Sequence, residues 1–161
     1  MTATRFAALC AATIALVATT IPSNANDATF AALAGAWGGT GSVKLENGKT
    51  ERLKCKGYYN PKAGGSGLGM AINCGNASFK INMRANLKSA GNNITGTWEE
   101  REFNQVGNIS GVKTESGFSL KFSGAISGSM SVSTNGGSQT VSISTGGPGF
   151  RGVNLQFAKN G

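Results

Sequence analysis

Any chemistry in this chain has to be done without imidazole. None of its 161 residues is histidine. Ser–His and Cys–His nucleophile pairs are therefore excluded, as is a histidine general base. Carboxylates are the remaining option. Glu99, Glu100 and Glu102 cluster, and on an extended strand Glu100 and Glu102 share the face of Trp98. The cluster reads as a paired-acid site, as a polar anchor at a barrel mouth, or as a strand end that has left the core. Acids are rarely buried without partners, which favours the solvated strand end. With no histidine and few cysteines, zinc lacks ligands. The expectation is a protein that is not an enzyme, with no metal and no cofactor.

The cations are more suggestive. Fifteen Lys and Arg stand against seven Asp and Glu, a formal net charge of +8. Arg52, Lys54 and Lys56 alternate with Leu53 and Cys55, so they line the outer face of one strand. Lys44, Lys80 and Arg84 are also out of phase with the apolar residues around them. If these strands are near neighbours, the six cations share one outer surface, with Tyr58 and Tyr59 beside it. The partners of such a surface would be anionic: lipid phosphates, acidic polysaccharide or a membrane. The plain alternative is a solubilising face. Nucleic acid is not expected, because no nucleic-acid-binding motif is visible.

Residues 1–25 read as a cleaved signal peptide. Arg5 precedes an apolar run, Phe6 to Ala18, which Pro22 ends; Ser23-Asn24-Ala25 then offers small residues for cleavage after Ala25. The run is shorter than the roughly 20 residues of a membrane span, and nothing later is apolar enough for one. Cys10 sits at the start of the run, whereas a lipid-acceptor cysteine should end it. Removal of the leader leaves Cys55 and Cys74, which in an exported chain read as one disulfide; two separate buried thiols are the alternative. The short leader and the Asn/Gly/Ser-rich remainder are of bacterial type. The expected location is the periplasm, the cell surface or the medium.

These residues have to be positioned by strands. From Trp37 onward the chain alternates with period two. Phe79, Ile81, Met83, Ala85 and Leu87 point one way, and Lys80, Asn82, Arg84 and Asn86 the other. Strands are expected over 37–45, 50–59, 67–74, 78–87, 94–103, 106–113, 117–123, 127–134, 138–145 and 150–158. Asn47-Gly48 suits a type I′ hairpin turn. Only residues 27–34 look helical. The organisation is a short segment over 26–36 and one β domain over 37–161. Its fold class is all-β, an antiparallel up-and-down meander of about 8–10 strands closed as a barrel or packed as a two-sheet sandwich. Glycines recur at inward positions, among them Gly39, Gly41, Gly96 and Gly128. They either let strands coil closely or leave space inside.

Gly35-Ala36-Trp37, opening the first strand after a helical turn, resembles the Gly-x-Trp start of calycins, the lipocalin- and avidin-like barrels. Gly96-Thr97-Trp98 repeats the pattern. The resemblance implies an up-and-down barrel with a ligand cavity at one mouth. It also implies that Arg151 is the counterpart of the arginine that packs on the lipocalin tryptophan.

Two functions follow as expectations. The first is an exported, non-enzymatic binding protein whose barrel holds a small apolar or amphipathic ligand, lined by Trp37, Met70, Phe79, Met83 and Trp98. The second is an envelope-interaction or inhibitor protein that binds anionic polymers or lipids through the basic outer face.

Overall fold

The structure, a computed structural model, describes residues 28–62 and 64–160. The expected leader and its cleavage point after Ala25 lie outside the described residues. A short helix, α1 (Ala28–Leu33), is followed by ten strands: β1 (Gly35–Leu45), β2 (Thr50–Pro61), β3 (Gly67–Gly75), β4 (Lys80–Ala90), β5 (Asn93–Glu100), β6 (Gln105–Thr114), β7 (Gly117–Gly124), β8 (Gly128–Asn135), β9 (Ser138–Thr145) and β10 (Phe150–Lys159). Each pairs antiparallel with its sequence neighbour. β10 then pairs with β1, with Trp37 opposite Lys159 and Val43 opposite Val153. The result is one closed meander barrel, not a two-sheet sandwich. Closure removes every sheet edge. No helix among the described residues is long and apolar enough to cross a membrane.

The period-two pattern is realised strand by strand. In β2 Leu53, Cys55, Gly57 and Tyr59 are buried and Arg52, Lys54, Lys56 and Tyr58 exposed. Small departures from the expected bounds have local causes. β4 starts at Lys80, not 78, because the Asn76 side-chain oxygen accepts the N–H groups of Ser78 (2.8 Å) and Phe79 (3.1 Å) and holds that corner as a turn. β5 stops at Glu100, not 103, because residues 101–104 turn, with Asn104 at φ 52°. At the first hairpin only Gly48 has positive φ (82°), so this is not the type I′ turn. Gly48 N–H bonds Leu45 O and Asn47 Oδ1 accepts from Lys49 N, a tight turn followed by one left-handed glycine.

The inward glycines bring strands together. A side chain at Gly41 would collide with the Asn154 carbonyl and lie 2.6 Å from Leu155 Cδ2; one at Gly39 would lie 2.6 Å from the Phe157 ring. The room these glycines leave is already taken by Leu155 and Phe157.

Candidate functional site: an apolar mouth opposite a closed end

The strands alternate in direction, so every odd-numbered strand starts at one end of the barrel and every even-numbered strand at the other. The end where β1 starts is packed shut. Helix α1 lies there with Phe30 and Leu33 buried. Phe30 meets Phe118 of β7, well around the barrel from β1, edge-to-face at 6.1 Å. Trp37 is fully buried beneath α1 and donates its indole N–H to Leu33 O at 2.7 Å. Tyr59 packs edge-to-face on Trp37 at 6.3 Å and donates its hydroxyl to Gln139 Oε1 at 2.7 Å. Burial pushes the Tyr59 hydroxyl well above the usual phenol range, against a smaller opposing pull from Gln139. An eight-strand barrel is just wide enough for its own side chains to fill, and ten strands make a wider one. Filling this end therefore takes four aromatic rings and a helix.

The opposite end is different. Leu45, Ile81, Met83, Phe122, Met130 and Ile143 all lie toward it and all stay only half-buried. So do Phe79 and Ile126 on its turns and Phe150 at the start of β10. Trp98 forms part of the floor below them. It is buried, stands edge-to-face with Phe122 at 6.0 Å, and donates to Ser123 O at 3.2 Å. The rim is polar. Glu46 pairs with Arg151 at 3.1 Å and Lys49 with Glu51 at 3.2 Å. A hydrogen bond from Asn76, reinforced by Lys49, holds the Glu51 carboxyl below the usual carboxylate range. Thr145 donates to Phe150 O at 2.7 Å and pins the β9–β10 turn.

The sequence-derived ligand-lining set is thus divided. Phe79, Met83 and Trp98 belong to the half-buried end, Met70 is buried opposite Tyr59 of the closed end, and Trp37 is part of the closed end. The other half-buried apolar residues were visible in the alternation, but nothing in it says which strand ends meet at an opening. Arg151 is not on Trp37: it pairs with Glu46 at the far rim, and Lys159 lies 5.7 Å from the Trp37 ring centroid instead. The register that sets Trp37 opposite Lys159 explains the exchange.

Glu100 also differs from expectation. It is buried, not solvated. It remains in the inward phase, and its carboxylate accepts the backbone N–H of Asn82 at 2.6 Å and of Phe103 at 2.8 Å. That makes it a brace for the 101–104 turn. Glu99 faces outward to Arg101 at 2.6 Å, and Glu102 is exposed, so the three acids do not converge. Among the described residues no group of three or more His, Cys, Asp or Glu could hold a metal ion.

Cys55 and Cys74 form a disulfide between directly paired positions of β2 and β3. The six cations stand on the adjacent strands β1 and β2 and, across β3, on β4, and all face outward. Lys54, Lys56 and Lys80 border one hollow of about 400 Å³ on the outer wall. Arg84 is half-buried and donates to Asn73 Oδ1 at 3.2 Å, while Lys44 and Arg52 lie outside that hollow.

No protein-family model matches the chain, and no curated protein matches it. Among solved structures it is similar to the crystal structure of Rv2717c from M. tuberculosis, with a TM-score of 0.68 at 12% identity, covering 81% of this chain and 94% of that one. The likeness is one of fold.

Proposed function

We propose that this is a non-enzymatic binding protein that works outside the cytoplasm and holds a small apolar or amphipathic molecule in the open mouth of its barrel. The observation that carries the reading is the contrast between the ends. One is sealed by Phe30, Leu33, Trp37 and Phe118, while nine apolar side chains at the other remain half-buried. Burying that apolar surface under a ligand would be favourable by about 25 cal/mol per Å². The Gly35-Ala36-Trp37 resemblance to calycins supports the same reading. The disulfide supports export, since such bonds persist in oxidising compartments. The lack of histidine and the divergence of the three glutamates support a role without catalysis.

Native mass spectrometry of protein purified from the cells that make it tests this reading. The expected result is a non-covalent organic adduct that denaturation releases. Bare protein in every preparation would count against it.

A further inference from the structure

We infer that the outer wall carries a second site, a trough along β3 that takes a linear polysaccharide bearing carboxylates. The outward positions of β3 are Gly69, Ala71, Asn73 and Gly75, all short. The strands on either side raise long side chains at matching heights. Lys54 and Lys80 flank Gly75, and Tyr58 and Arg84 flank Ala71. Lys56 stands beside Asn73 between those two rows. A low floor between high walls is a trough, and two hollows, of about 400 and 520 Å³, lie along it. From Gly69 to Gly75 the strand rises roughly 20 Å, enough for several units of an extended chain.

The trough is positive. Among the described residues Lys54, Lys56 and Lys80 make no ion pair. Of the acids beside it, Glu99 is already held by Arg101 at 2.6 Å, and Glu102 alone borders the lysine hollow. Its neutral lining is amide: the exposed Asn60 and Asn86 flank Gly69, and Asn73, whose Oδ1 already accepts from Arg84, lies further along the floor. An amide both donates and accepts, which suits sugar hydroxyls, while ammonium groups suit carboxylates. A flat membrane would rest on the walls and miss the floor. Single-stranded nucleic acid binds by stacking successive bases on aromatic side chains. This trough offers one exposed aromatic, Tyr58, at 46% exposure.

The test is calorimetric titration of the full chain, disulfide intact, with polygalacturonate, a neutral linear glucan and a single-stranded oligonucleotide. Two variants accompany it: Lys54→Gln/Lys56→Gln/Lys80→Gln, and Ala71→Trp, which fills the floor. Saturable binding of polygalacturonate at moderate salt is expected, without binding of the glucan. Each variant should weaken it by about tenfold or more, the combined weight of a few screened charges or of a lost floor. The lysine variant changes only exposed side chains, so it keeps the test open if Ala71→Trp does not fold. Failure of polygalacturonate to bind overturns the inference. So does undiminished binding by folded Ala71→Trp, or tighter binding of the oligonucleotide.

Discussion

Phe118 and Phe122 form a matched pair for testing the two-ended barrel. Both lie on β7, both point inward, and each has one edge-to-face aromatic partner, Phe30 at 6.1 Å and Trp98 at 6.0 Å. They differ in which end they serve. Phe118 is 1% exposed in the closed end, whereas Phe122 is half-buried in the mouth. Truncating a fully buried phenylalanine to alanine costs about 3–5 kcal/mol, because transfer and cavity contributions add. At the mouth, water already reaches the ring and can fill the space it leaves. Phe122→Ala should therefore cost about half as much or less, on the order of 1–2 kcal/mol. The aromatic-pair contribution is similar in the two and drops out of the comparison. Equilibrium unfolding in guanidinium chloride, followed by far-UV circular dichroism with the disulfide intact, reads the difference as midpoint shifts at common slope. Equal losses, or a larger loss at Phe122, would refute the idea that only one end is built for packing.

Further outcomes follow from particular bonds. Replacing Cys55 and Cys74 with alanine opens a loop of 19 residues, and the chain-entropy relation gives a loss of about 3 kcal/mol, measurable by the same unfolding experiment. Glu100→Gln weakens one or both charge-assisted bonds to Asn82 and Phe103 N–H and should cost about 1–2 kcal/mol while leaving mouth binding intact. Tyr59 gives an alkaline signature. Its folded hydroxyl is held above the usual range, so from about pH 10 the unfolded chain releases a proton that the folded chain keeps. Its contribution is fully present below that pH and declines above it, by up to about 1.4 kcal/mol per pH unit. Tyr59→Phe should be less stable at neutral pH, with Gln139 left unbonded, but should lose that part of the alkaline slope in unfolding measured across pH.

Much of the barrel is legible in the sequence because its information is local. Alternation over residues 79–87 requires one apolar and one polar face, and β4 supplies both. Turn chemistry punctuates the strands where expected, apart from Asn104, whose positive φ cuts β5 short. What alternation does not carry is non-local. The pairing of β1 with β10 decides that Lys159, and not Arg151, meets Trp37. The burial of Glu100 depends on two backbone donors from β4 and the next turn. The asymmetry of the ends arises from α1 folding across one of them, and periodicity holds no record of where a short helix docks. The outward direction of the six cations could be read from phase, but their shared face and its trough needed the strand order β1–β2–β3–β4 and the small outward residues of β3.

The most direct test of the binding account is titration of the full chain with the fluorescent apolar probe N-phenyl-1-naphthylamine, beside Met130→Arg at the mouth and Phe118→Ala at the closed end. Predicted is saturable binding at one site, abolished by Met130→Arg and kept by folded Phe118→Ala. Absence of saturable binding, or binding that a charge at Met130 leaves unchanged, would contradict it.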